Sequence, residues 1–287
     1  MADATVPGVH TDPPPDSAEL RHLAAGAHVW LQYPHRHGRP NAGMIVDDTG
    51  IIVVDTLLVP SQAAAFNDAL AQFGLPVRTA IYTSSHAEFT GGSGTFAFAA
   101  RYGTQLTSTL MDQPPNTEAF KRLHPEVAHE FDDLNTRPVS HMVDAAVWLT
   151  EGVCIVPTTG QMDSNLVVFV PGADTLFAGA MCAFGVTPNC FDGDPLVWAD
   201  SLGDLAELAG RIVPGVGHIG GPADMLAMQA YLWACSDANG DVGRLATGPW
   251  ETWADRHLDA VNVERAAMLA SGDRSVPPSM LRLLGLA

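Results

Sequence analysis

A histidine and a glutamate two positions apart, His86 and Glu88, form the clearest acid–base pair in this 287-residue chain. An imidazole titrates near pH 6.5, so it can give or take a proton at neutral pH. Glu88 lies within reach to orient His86 or to act as a second acid or base. Partial burial beside Phe89 is expected to raise its pKa, as a catalytic carboxylic acid requires. Ser84 and Ser85 suggest a serine nucleophile with His86 as base, but neighbours in one loop rarely take that geometry and no G-x-S-x-G elbow is present. A second group, His35-Arg36-His37-Gly38-Arg39, sets four potentially cationic side chains within five residues. It would attract a carboxylate-bearing substrate, or serve as a solvated turn that balances nearby acids. The cysteines Cys154, Cys182, Cys190 and Cys235 form no C-x-x-C pair and read as free thiols in a reducing compartment.

The elements that must position these side chains alternate between strand-like and helix-like blocks. Thr79–Thr83 reads as a buried strand that opens into the polar loop Ser84–Glu88 and then Thr90-Gly91-Gly92. Gly50–Asp55 (GIIVVD) is a continuous apolar run, the pattern of a strand buried on both faces. Ala27–Tyr33 and Gly43–Val46 are further short strands. Ser61–Phe73 is a helix with a serine N-cap and Gly74 as its stop, and Thr117–Leu134 is a mostly exposed helix. In the second half Val147–Leu149, Val153–Pro157, Asn165–Val170, Thr175–Phe177 and Arg211–Val213 read as strands. Trp198–Ala209, Ala223–Ala234 and Trp250–Ser271 read as helices. Two β-rich halves, each finished by helices, predict a two-layer sheet core with helices outside. The expected organisation is one domain over residues 20–287. It follows a polar arm, residues 1–19 with Pro13-Pro14-Pro15, that is disordered unless it packs on something.

Composition narrows the partners. Apolar residues make up 47% and charged ones 16%, enough to build a buried core. Fourteen basic against thirty-two acidic residues give −18, and Lys121 is the only lysine. Such a surface repels phosphate backbones and anionic lipid, so nucleic acid and membranes are not expected partners. No run approaches the ~18 apolar residues of a membrane helix, and no basic-then-apolar leader opens the sequence. A cytoplasmic protein is expected; nothing in the sequence sets its oligomeric state.

The order of these blocks resembles the metallo-β-lactamase superfamily over roughly Leu20 to Ala267. The resemblance rests on GIIVVDT (Gly50–Thr56), YTSSHAEFTGG (Tyr82–Gly92), TTGQMDSNLVVFVPGADTLFAGA (Thr158–Ala180), TPNCFDGDPLVWADSL (Thr187–Leu202) and VPGVGHIGG (Val213–Gly221). It implies an α+β fold, a four-layer αββα sandwich, with two metal ions, usually zinc, at the strand ends between the sheets. The family loop T-H-x-H-x-D-H-x-G-G meets Thr83, Ser84, His86, Glu88, Phe89, Gly91 and Gly92 here. The family's third histidine falls on Gln161, its bridging aspartate on Ala180 and its last histidine on Val216. Only His86 is kept and Glu88 is conservatively changed. Zinc needs three or four nitrogen, sulfur or carboxylate ligands. Phe89, Ala180 and Val216 offer none, while Phe89 and Val216 would fill the vacated volume. A displaced metal site from His86, Glu88 and His218 lacks supporting spacing.

By the same resemblance Tyr82, Ser84, Ser85, His86, Glu88, Gln161, Asp163 and His218 stand at the cleft mouth. Gln161 and the serines are suited to polarise a carbonyl. Cys182, Phe184, Cys190, Phe191 and Trp198 fall where relatives contact substrate and would make the pocket apolar, although Trp198 equally suits the core. His86 could instead be a structural residue bonded to Asp55, and Asp163 a solvated loop acid. The favoured function is a metal-independent, cofactor-free enzyme. His86 and Glu88 would run acid–base chemistry on a small apolar molecule, such as elimination, dehydration, isomerisation or cyclisation in specialised metabolism. The alternatives are a hydrolase of a thioester, ester or lactone, and a non-catalytic relative that binds a ligand or partner.

Overall fold

The computed structural model describes residues 16–287, so the predicted arm lies largely outside the described residues. Its last four positions do not, and two of them, Ala18 and Glu19, open a strand rather than belonging to a disordered arm. Two sheets are built. The first runs in the order β1 (Ala18–Ala24), β2 (Ala27–Gln32), β3 (Ala42–Asp47), β4 (Gly50–Val54), β5 (Val77–Ile81), β6 (Ala100–Gly103), β7 (His141–Met142). Its first three pairings are antiparallel and its last three parallel. The second sheet holds β8 (Val147–Thr150), β9 (Val153–Thr158), β10 (Asn165–Val170), β11 (Thr175–Phe184) and β12 (Arg211–Gly217), in the order β12-β11-β10-β9-β8.

The alternation of side chains along each strand explains the layers. Val29, Leu31, Ile52 and Val54 meet Ile155, Leu166, Val168 and Phe177 between the sheets. The alternate residues Trp30, Ile51 and Val53 face outward onto Phe66 and Leu70 of α1 (Pro60–Leu70). GIIVVD therefore reads as an uninterrupted apolar run because both of its faces are covered. The small helices α2 (Ala87–Thr90), α3 (Gln105–Met111) and α4 (Thr117–Leu123) follow β5 and β6. On the second sheet Val167, Leu176 and Met181 face Trp198 and Leu202 of α5 (Pro195–Leu205), and Met225 and Met228 of α6 (Pro222–Asp237). The helices α7 (Asp259–Ala270) and α8 (Pro278–Leu283) complete the chain. Helix, sheet, sheet, helix is the expected αββα sandwich.

Three local expectations need correction. The first helix begins at Pro60 with Val59 as N-cap, because the fixed φ of proline suits the first helical turn. Ser61 instead binds the carboxylate of Glu130. The expected helix Thr117–Leu134 is broken at His124, where Pro125 cannot continue the hydrogen-bond ladder, and resumes as 3-10 turns over Pro125–Asp133. Trp250–Ser271 is likewise split by Asp255, which adopts a left-handed φ of 57°, and α-helix begins only at Asp259.

Candidate active site

The His86 loop is cast against backbone. At the end of β5 the buried Thr83 donates its N–H and its hydroxyl to the two carboxylate oxygens of Asp55, each at 2.8 Å. Its hydroxyl oxygen accepts from the Ala180 N–H at 3.0 Å. Its carbonyl accepts from the Leu166 N–H and from Asn165 Nδ2, each at 3.1 Å. Asp55 is only 1% exposed, and burial, only partly offset by the Thr83 bonds, pushes its pKa up to about 7. The far end of the loop returns to the segment after β4: the Thr56 N–H donates to Phe89 O and the Gly92 N–H to Leu57 O. A Cβ on Gly91 would lie 1.8 Å from the Leu58 carbonyl oxygen, and one on Gly92 2.2 Å from that of Thr56. Glycine is required at both, and α2 is thereby fixed with Glu88 and Phe89 facing the interior.

His86, Glu88, Phe89, Gln161, Ala180 and Val216 all line one cavity, with Cys182 and Trp198 beside them. Its volume is about 40 Å³, room for a few water molecules and no more. Phe89, at 6% exposure, and Val216, at 4%, fill much of the space. Ser84 stands behind this wall and donates its hydroxyl to Gln161 Oε1 at 2.9 Å. A larger groove of about 230 Å³ opens on the other side of His86, between Ser85, Asp192 and Met162 and the segment that carries α3 and α4. His86 is the wall between the two spaces.

Both ring nitrogens of His86 are engaged. Nε2 lies 2.9 Å from Asp192 Oδ2 and Nδ1 lies 2.9 Å from Gln161 Nε2. The direction of the second contact follows from fixed backbone groups. The Met162 N–H donates to Asn165 Oδ1 and Asn165 Nδ2 donates to the Thr83 carbonyl, so Asn165 presents N–H to Gln161 Oε1 at 3.1 Å. Gln161 must then turn its NH₂ toward His86. Nδ1 accepts there, and the ring proton sits on Nε2 against Asp192. This is the geometry of the neutral ring. Burial also disfavours the cation, but the charge and hydrogen bond of Asp192, reinforced by Glu88, outweigh it and bring the pKa up to about 9. Taking up that proton places an N–H on Nδ1 against the Gln161 amide, so protonation requires the amide to yield. Phe191 stacks on the imidazole with centroids 5.5 Å apart.

Glu88 does not have the raised pKa expected of it. Burial alone would raise it, but the adjacent His124 and His86 imidazoles dominate and hold it at about 2. Its Oε1 lies 3.8 Å from His124 Nε2, while its Oε2 is buried with no hydrogen-bond partner. Glu88 is a fixed anion at neutral pH rather than a proton donor.

Other expected site residues are placed elsewhere. Tyr82 is fully buried, donates its hydroxyl to the Arg137 carbonyl and does not line the cavity. Ser85 lines the outer groove and contacts Met162 Sδ; with Nδ1 of His86 given to Gln161, neither serine has a base. Asp163 is exposed and does not line the cavity. Phe184 is turned into the core between the second sheet and its helices. His218 is exposed and lies 3.3 Å from Asp224, outside the cavity, so it does not join His86 and Glu88. Asp55 binds Thr83 rather than His86. In the basic cluster Arg36 pairs with Glu126 and Arg39 with Asp16, while His37 contacts the Thr187 carbonyl and lines the cavity. Two residues of the site went unread in the sequence, Asp192 and His124.

The metallo-beta-lactamase superfamily model matches residues 35–225. Among solved structures, a metallo-beta-lactamase from Hirschia baltica is 21% identical, with 76% of this chain and 98% of that one covered at a TM-score of 0.58. The metallo-beta-lactamase FIM-1 from Pseudomonas aeruginosa, in its mono-zinc form, is 17% identical, with 77% and 97% covered at a TM-score of 0.58. VMB-1 is 16% identical, with 78% and 100% covered at a TM-score of 0.60. No curated protein matches the sequence.

The residues around the cavity do not fit the metal centre that this resemblance implies. Phe89, Ala180 and Val216 carry no donor atom, and His86 and Glu88 are committed to Asp192 and His124. No group of three or more His, Cys, Asp or Glu able to hold a metal ion occurs among the described residues.

Proposed function

We propose that this chain, which belongs to the metallo-beta-lactamase superfamily, is a metal-independent acid–base enzyme acting on a small apolar molecule. The observation that carries the reading is the 2.9 Å contact between Asp192 and His86, in the wall between a water-sized cavity and a groove large enough for a substrate. Asp192 holds the ring and stabilises its cation, as a carboxylate behind a catalytic histidine does. His86 then delivers a proton to a leaving group or carbonyl of a substrate in the groove and recovers it in the return step. Glu88 contributes a fixed negative charge that favours the imidazolium. Elimination, dehydration, isomerisation and cyclisation all need such a proton relay, and none needs an activated water.

The Gln161 contact supports a second reading. With the Gln161 amide turned aside, the freed Nδ1 can deprotonate a water in the inner cavity, and the second reading is hydrolysis of a thioester, ester or lactone.

The test combines elemental analysis with turnover. Protein purified from zinc-, iron- and manganese-supplemented medium is expected to hold well under one equivalent of metal. Turnover of β-hydroxycarbonyl and activated-ester probes is expected to survive chelation and to vanish in His86→Asn. One or more tightly held equivalents, or activity that tracks added zinc and survives His86→Asn, would overturn the reading.

A further inference from the structure

The groove beside His86 restricts the class of ligand it can take. Its walls are Leu110 and Met111 from α3, Phe120 from α4, Met162 and the Pro114-Pro115 pair. At about 230 Å³ it falls below the ~300–1,000 Å³ of a drug-sized pocket, so its occupant is a fragment with an apolar body. Among the described residues the only ionisable groups on its lining are Asp192 and His86, with no lysine or arginine. Lys121, on α4, is held by Glu118 and Asp132, and the basic cluster before β3 is paired elsewhere. Asp192 bonds His86 through Oδ2 and leaves a third of its side chain exposed in the groove wall, while its Oδ1 is buried with no hydrogen-bond partner. Behind the ring stands Glu88, itself faced by His124, so Asp192 is the one carboxylate that the groove lining presents. A chain of net charge −18 adds to the negative potential.

We propose that the groove binds a small apolar amine, with its ammonium on the Asp192 carboxylate and its hydrocarbon body against the α3–α4 wall. This rests on the reading that His86 is the acid–base group of the same site. A carboxylate or phosphate ligand would meet Asp192 with only the His86 ring, already paired to Asp192, to compensate it. An alcohol would gain the apolar contacts but not the charge-assisted hydrogen bond.

Binding of 2-phenylethylamine, 2-phenylethanol and 3-phenylpropionate to the full chain at pH 7, followed by calorimetry and ligand-observed NMR, tests this. The amine is expected to bind about tenfold more tightly than the alcohol, as a charge-assisted contact implies, and the carboxylate not at all. Asp192→Asn should bring amine and alcohol within about twofold of each other. Leu110→Arg, at the rim and 40% exposed, should shift the preference toward the carboxylate. Equal or tighter carboxylate binding, an amine preference unchanged in Asp192→Asn, or no binding of any of the three overturns the proposal. Amine binding alike in the wild type and His86→Asn, with no turnover of any probe, would sink the acid–base reading and leave this one standing.

Discussion

Replacing Asp192 by asparagine keeps the shape of the side chain and removes the charge that holds His86. The size of the effect follows from the site. His86 moves from an ordinary 6.5 to about 9, which at ~1.36 kcal/mol per unit is about 3 kcal/mol of preference for the cation. Because burial works against the cation, the two carboxylates together supply more than this. Asp192 supplies most of it, through both its charge and its hydrogen bond, with Glu88 second. A third of the Asp192 side chain is exposed, so solvent screening trims the figure. The expected outcome is a His86 pKa lower by about two units in Asp192→Asn. It is read from the ring resonances in an NMR titration, with His86→Asn to assign them. The linkage has a definite sign. A pKa raised on folding contributes stability that is complete below pH 6.5 and lost as pH rises through about 9. The wild type should therefore lose stability across that window and the variant should not. A wild-type ring titrating at or below 6.5, or one unmoved by Asp192→Asn, would refute the reasoning.

Asp55 carries the same sign at lower pH. Its pKa rises from 3.8 to about 7, so its contribution is complete below 3.8 and fades as pH climbs to 7. The stability difference between wild type and Asp55→Asn, from urea midpoints, should drift in that direction between pH 4 and 7, and a constant difference would contradict it. Gly91→Ala places a carbon 1.8 Å from the Leu58 carbonyl oxygen and should cost about 3 kcal/mol or more; a variant melting with the wild type would show that the loop can move aside. Asn165→Ala removes the amide that orients Gln161 and strands buried polar groups, at about 2 kcal/mol. With Gln161 free to turn, the His86 pKa should rise further in the same NMR titration, and a fall would contradict the inferred tautomer.

The sequence disclosed those elements whose pattern is set locally. Gly50–Asp55 and Asn165–Val170 were legible because both of their faces are covered, so apolar residues run without a break. β1 was not, since its residues are mostly exposed and show no such run. The strand after Asp174 was cut short at Phe177, whereas β11 continues to Phe184, because Gly179 and Ala180 lack the bulk that marks a strand. The register of the site loops placed six residues around one cavity. The residue that holds His86 was hidden by ambiguity: Cys190-Phe191-Asp192-Gly193-Asp194 offers two aspartates, and only the fold shows Asp194 capping α5 while Asp192 turns to the ring. His124 is hidden when Thr117–Leu134 is taken as one helix, because the break falls at His124 and Pro125. Had the proline been read as a stop, a histidine at a helix end would have stood out.

Thr83 also bears on the order in which the chain assembles. The bonds that converge on it join residues 28, 82 and 97 positions apart in sequence. Each closes a long loop, and the entropy of closure is lost before the contact rewards it. The two sheets can each form by shorter-range pairing, whereas the junction at Thr83 needs both. It is therefore expected to consolidate last, with φ-values near zero when Thr83→Ala is followed by stopped-flow refolding. Weakening it should speed unfolding while leaving the folding rate almost unchanged. On that expectation the site lies outside the nucleus, and exchanging its side chains should carry little penalty to how fast the chain finds its fold.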